Sequence, residues 1–327
     1  VENVLFEAYL LPLIVAPFLL AWGADRFVDG ASALSTNLGV HPLMVGVLVM
    51  GFGTSLPELL VSFFAALSGN SGLALGNAYG SNIINIGIVL GVAAILRPVL
   101  VRDSVVKREL PLLIVATAIT YYVVMDQALT RGEAVLLVVL FLAILFYLSW
   151  DSMRQPAEGE APAPESAPAI SLGKSIYYLV SGLLVIALSA ALLVWGARGI
   201  VMDLGVSEAV VAVMVLAVGT SLPELVVIIA AARRGKHELA LGNIIGSNLF
   251  NTLAVVGFAG LITPAVLEAE LVTRDLPVMF AFTAALVVMA YGWGRRTGVV
   301  NKFEGVVLLI AAAGYLGYLA YLTPIFT

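Results

Sequence analysis

In this chain of 327 residues, 61% are hydrophobic and only 11% charged, whereas charged residues supply about 25% of a soluble domain. The mean hydropathy of +1.06 is that of a polytopic membrane protein, and the net charge of −5 gives no sign of nucleic-acid binding. The absence of cysteine excludes disulfides, thiolate metal sites and cysteine nucleophiles.

Apolar stretches long enough for about 20 residues of helix begin at 7–24, which has no basic region ahead of it and reads as a span, not a cleaved signal. At its inner end Asp25, Arg26 and Asp29 read as interfacial charges. The next stretch, 40–68, holds Gly51-Phe-Gly-Thr-Ser-Leu-Pro-Glu58, and 74–96 holds Gly76-Asn-Ala-Tyr-Gly-Ser-Asn-Ile-Ile-Asn85. Two more follow at 108–125, opened by Arg108-Glu-Leu-Pro111, and at 132–150. Residues 151–173, rich in Pro, Ala and Glu, cannot bury anything and read as a flexible linker. The pattern then restarts with stretches at 174–197, 206–231, 239–262, 275–293 and 303–323. Ala217-Val-Gly-Thr-Ser-Leu-Pro-Glu224, Gly242-Asn-Ile-Ile-Gly-Ser-Asn-Leu-Phe-Asn251 and Arg274-Asp-Leu-Pro277 return at a constant offset of 166 residues.

The expected fold is therefore an all-α membrane protein of ten transmembrane helices. It comprises a five-helix repeat (1–150), a linker (151–173) and a second five-helix repeat (174–327). An odd number of crossings per repeat turns the second half upside down, so the two motifs approach the bilayer middle from opposite sides. Alternating the loops between sides puts thirteen of the sixteen Lys and Arg residues on one side, leaving Arg131, Arg198 and Arg274 on the other. By the positive-inside rule the linker is cytoplasmic and both termini lie outside. The loop after the first span is seven residues longer than its counterpart, because Trp22-Gly-Ala and Trp195-Gly-Ala stand 173 apart.

The motifs set oxygens where hydrocarbon would otherwise be. Pro57 lacks an N–H and crowds the carbonyl four residues back, so the helix must bend or open there. Thr54, Ser55 and Glu58 fall on nearly one helical face, and Thr220, Ser221, Pro223 and Glu224 repeat the arrangement. Asn77, Ser81 and Asn85 recur every four residues, as do Asn243, Ser247 and Asn251, drawing a polar stripe on each of two spans. Gly76, Gly80, Gly242 and Gly246 would let neighbouring helices approach these stripes closely. An oxygen-only set suits a hard cation such as calcium, held at about 2.3–2.6 Å. A lone intramembrane Ser or Thr is ordinarily an interhelical hydrogen bond, but a mid-span glutamate placed twice in matching motifs marks function. His41 and His237 have no partner at metal-ligand spacing; His237 falls in Arg233-Arg-Gly-Lys-His-Glu238, which reads as a solvated loop.

At these residues the chain resembles the sodium/calcium exchanger branch of the calcium/cation antiporter superfamily, whose two alpha repeats carry Gly-Thr-Ser-Leu-Pro-Glu and Gly-Asn-x-x-Gly-Ser-Asn-x-x-Asn/Asp. The resemblance implies a core of the second, third, seventh and eighth spans, with the long first and sixth spans sliding across it to alternate access. It also implies Glu58 and Glu224 as shared calcium and sodium ligands, completed by Thr54, Ser55, Thr220, Ser221, Ser81, Ser247, Asn85 and Asn251 and by the carbonyls of Gly51 and Ala217. Some relatives carry Asp where this chain has Asn251. With Asn there, two carboxylates are matched by one calcium or two sodium ions, and three-for-one exchange would be electrogenic. Calcium export across the plasma membrane, with no cofactor and no enzymatic activity, is the expected function. Proton/calcium and potassium-dependent exchange are alternatives within the superfamily, and a passive cation channel is a more distant one. No span holds the Asp dyad, Ser–His pair or His-Glu-x-x-His that an intramembrane protease needs.

Overall fold

The computed structural model describes residues 2–154, 170–203, 217–291 and 297–322. In the first half, α1 (Glu2–Leu38), α2 (Pro42–Thr54), α3 (Leu56–Leu67) and α4 (Ser71–Leu96) lead into strand β1 (Val99–Arg102). The short α5 (Asp103–Lys107), α6 (Glu109–Val123), β2 (Ala128–Leu129) and α7 (Arg131–Arg154) complete it. The second half comprises α8 (Leu172–Asp203), α9 (Ala217–Thr220), α10 (Leu222–Arg233), α11 (His237–Ile262), β3 (Ala265–Val266), α12 (Leu271–Ala290), β4 (Thr297–Val300) and α13 (Lys302–Leu322).

Among the described residues, seven helices are long and apolar enough to cross a membrane, and an eighth span is made if the bent α2–α3 pair counts as one. The count differs from the expected ten at two places. Helix α6 has 15 residues, about 22 Å at 1.5 Å per residue, and the expected span 206–231 lies partly outside the described residues. The proposed linker is outside them from residue 155 to 169.

Helices α4 and α11 are the centre. Their apolar windows are 72% and 89% buried within the protein, against 28% for α7 and 17% for α13, so the stripe-bearing spans are wrapped by protein while the peripheral ones face lipid. Glycine lets α2 lie directly on α11: a Cβ at Gly242 would stand 2.4 Å from the Leu43 carbonyl oxygen, and one at Gly246 would stand 2.3 Å from that of Val47. Helices α1 and α8 pack along each other in the same way, with a Cβ at Gly30 placed 2.6 Å from the Leu179 nitrogen and one at Gly182 placed 2.7 Å from that of Phe27. At 37 and 32 residues both exceed what a bilayer core of about 30 Å needs when crossed upright. Helix α1 runs to Leu38, so the extra length expected in the following loop is helix, and only residues 39–41 connect α1 to α2.

Contacts between the halves come in matched pairs. Strand β1 pairs antiparallel with β4, and β2 with β3. The end of α4 packs on α13, and the end of α11 on α7. Each ladder joins loops that the basic-residue alternation assigns to a common side, and so does Arg234, whose guanidinium meets Asp25 at 3.1 Å and Asp29 at 2.7 Å. The run Arg233–Glu238 is not uniformly solvated as its composition suggests. His237 opens α11, and Glu238 in its first turn is 6% exposed, with Arg102 Nε at 2.5 Å and His41 Nε2 at 3.6 Å.

Candidate cation site

Both Thr-Ser-Leu-Pro-Glu motifs break their helices at the serine. Ser55 sits at φ −85°, ψ 7° and Ser221 at φ −88°, ψ 5°, and α2 meets α3 at a bend of 45°. Pro57 and Pro223 then stand in the first turn of α3 and α10, where no intrahelical donor is required of them. Glu58 and Glu224 occupy the same first turns, so each carboxylate lies near the positive end of a helix dipole.

The two halves interlock through these groups. Ser55 Oγ donates to Glu224 Oε1 at 3.0 Å, and Ser221 Oγ donates to Glu58 Oε1 at 3.4 Å. Ser247 Oγ lies 3.3 Å from Glu224 Oε1, 3.3 Å from the Gly51 carbonyl oxygen and 3.3 Å from Thr54 Oγ1. Thr54 Oγ1 also reaches the Met50 carbonyl and Asn243 Oδ1, each at 3.1 Å. Every one of these side chains is at least nine-tenths buried, and both glutamates are fully buried.

Among the described residues, several buried polar atoms have no hydrogen-bond partner: Oε2 of Glu58 and Glu224, Ser81 Oγ, Asn85 Oδ1, and both amide atoms of Asn251. Unpaired buried carboxylate oxygens are costly, and a cation among them would supply the balancing charge. The structure thus joins Glu224, Ser55, Ser247, Thr54 and Gly51 in one hydrogen-bonded group and Glu58 with Ser221 in a second. Thr220 on α9, Ser81 and Asn85 on α4, and Asn251 on α11 are buried as well. Ala217 opens α9 at the place equivalent to Gly51, and its side chain is outside the described residues.

Sequence reasoning passed over Asn82, Asn248 and Thr252. Asn82 Nδ2 donates to Thr252 Oγ1 at 2.7 Å, and Asn85 Nδ2 donates to Asn248 Oδ1 at 3.3 Å, tying α4 to α11. A four-residue stripe omits these positions. Both asparagines do repeat at the offset of 166, and that repetition was the available signal. Just beyond them α4 and α11 change to π-helix, over Asn85–Leu90 and Phe250–Val255, a register that interior helix bulges often adopt at functional sites.

A helical membrane chain that buries two carboxylates in a shell of hydroxyl, amide and carbonyl oxygens is a cation transporter by fold and by site. The chain belongs to the sodium/calcium exchanger protein family, whose model matches residues 8–150 and 174–322, and it is accordingly a cation antiporter, the family being one of transporters and not a class of catalytic enzymes. It is 41% identical to the putative antiporter CaxA of Alkalimonas amylolytica over 93% of this chain and 96% of the relative. It is 31% identical to the sodium/calcium exchanger MaX1 of Methanosarcina acetivorans over 95% and 98%. A solved structure of the sodium-calcium exchanger NCX_Mj matches with a TM-score of 0.82 and 28% identity, covering 97% of this chain and 99% of that one.

Proposed function

We propose that this antiporter exchanges sodium for calcium by alternating access and exports calcium across the plasma membrane. Glu58 and Glu224 are the ligands both ions share, and Thr54, Ser55, Thr220, Ser221, Ser81, Ser247, Asn85, Asn251 and the carbonyls of Gly51 and Ala217 are the neutral oxygens around them. The observation that carries the reading is the reciprocal bonding of each carboxylate to a serine of the opposite motif, with one oxygen of each left without a partner among the described residues. A site of charge −2 is balanced by one calcium or two sodium ions. A third sodium leaves one positive charge to move with the cycle, on which the membrane potential does about 2.3 kcal/mol of work per 100 mV. An unloaded −2 site is reluctant to cross a dry barrier, which suppresses uncoupled leak.

The ten-span, inverted arrangement, with both termini outside and the linker cytoplasmic, belongs to the same proposal. It draws support from the paired contacts between halves and from the names of relatives, which include an inner membrane protein, YrbG of Escherichia coli, 35% identical over 325 residues. Sodium as the coupling ion is supported by the names of MaX1 and NCX_Mj. Potassium stays in the test because sodium/potassium/calcium exchanger 2 of Mus musculus is 28% identical over 37% of this chain. Purified protein in liposomes, with sodium, potassium and proton gradients varied independently, decides among them. Sodium-loaded vesicles should take up calcium faster when the interior is made positive, and uptake that follows a proton gradient without sodium would overturn the reading.

A further inference from the structure

Ser62 and Ile228 occupy equivalent places in the two halves, 166 residues apart, and both are buried. In the first half, Ser62 Oγ donates to the Ala74 carbonyl at 2.9 Å and accepts from Asn77 Nδ2 at 3.1 Å. The same Nδ2 donates to the backbone carbonyl of Glu58 at 3.1 Å. The Asn77 amide is thereby held between α3 and α4 on the peptide of the residue that carries the carboxylate. The second half lacks this brace. Ile228 offers no acceptor, and Asn243, the equivalent of Asn77, accepts the Thr54 hydroxyl on Oδ1 while its buried Nδ2 has no hydrogen-bond partner among the described residues.

We propose that Ser62 is a positioning residue that acts through Asn77 to fix the Glu58 peptide, making the first half the side of the cation site with a braced backbone, while Ile228 leaves the Glu224 peptide without that brace and its carboxylate held through the hydroxyls of Ser55 and Ser247. A fixed carboxylate sets where the cation sits without an ordering cost on binding. An adaptable partner lets the oxygen shell tighten on a divalent ion and relax for monovalent ones. This inference rests on the reading of the cluster as a calcium site.

The test uses Ser62→Ala, Ser62→Thr and Ile228→Ser, with calcium binding measured on detergent-solubilised protein and uptake kinetics measured in sodium-loaded proteoliposomes. Ser62→Ala should weaken calcium binding about fivefold to tenfold, the scale of one lost buried hydrogen bond, with the maximal uptake rate retained. Ser62→Thr, which restores a hydroxyl, should return binding to near the natural value. Ile228→Ser, which offers Asn243 Nδ2 an acceptor, should tighten calcium binding and lower the maximal rate. Unchanged affinity in Ser62→Ala overturns the proposal, as does equal weakening in Ser62→Ala and Ser62→Thr, which would mark a packing role. Should Ser62→Ala fail to fold, Ile228→Ser decides alone, unchanged binding being the contrary result. Calcium binding by the natural chain without sodium-driven uptake would sink the antiport reading and leave this inference standing; no calcium binding by the natural chain would sink both.

Discussion

At the scale of the residue, the energetic difficulty is two carboxylates in a place that water does not reach. Each is relieved in part by a serine hydroxyl from the other half and by its place in a helix's first turn, but neither has a basic side chain bonded to it among the described contacts. The unloaded site is therefore costly, and removing a charge should not unfold the protein. Glu58→Gln and Glu224→Gln are expected to melt no lower than the natural chain without calcium, and to lose calcium uptake. The natural chain should gain about 2.7 kcal/mol of stability at calcium concentrations a hundredfold above Kd, and both variants should lose that gain, as thermal unfolding with and without calcium will show. These glutamates were legible in the sequence because burial of an acid in an apolar run is rare, and its repetition in register rarer still. Glu238 was not, because the charges around it look solvated, and its burial depends on Arg102 and His41 arriving from elsewhere in the chain.

Elements bring those residues together by breaking and by close approach. The breaks were readable in place, since proline at 57 or 223 removes a helix donor and crowds the carbonyl four residues back, but not in kind, because Pro12 and Pro17 stand inside the continuous α1. Pro57→Ala, which permits α2 and α3 to join, should turn Glu58 away from Ser221 and abolish uptake without lowering the melting temperature; normal uptake would show that the bend is not needed. The glycine seams were readable in kind but not in partner. Structure assigns Gly242 and Gly246 to the face that meets α2, whereas Gly80 has nothing within 4 Å of a built Cβ. Gly246→Ala must therefore push α2 from α11, at about 1–3 kcal/mol or more for overpacking, and Gly80→Ala should be nearly neutral. Chemical or thermal unfolding of the two variants tests the contrast. The π-helical stretches and the two short antiparallel ladders had no sequence signal, because no residue type dictates a π register and a ladder of two or four residues is fixed by what the tertiary fold brings alongside.

For the whole molecule, duplication is what made the plan legible: one offset of 166 residues relates three motifs, and the contacts between halves follow the same exchange. Helix ends were less legible, since apolarity marks where lipid begins and not where a helix stops, and α1 continues well past its apolar run. The proposed topology predicts that, in this cysteine-free chain, Ser68→Cys reacts with a membrane-impermeant thiol reagent applied to intact cells and Ser166→Cys does not. The reverse pattern would invert the orientation. The account depends most on there being one oxygen cage that sodium and calcium occupy in turn. Radioactive calcium binding to the purified natural chain, titrated with sodium at fixed pH and potassium, measures this directly. Sodium should displace all of the bound calcium, the displacement should weaken as calcium is raised, and Glu58→Gln should bind none. Calcium that stays bound at saturating sodium, or binds undiminished to Glu58→Gln, would contradict it.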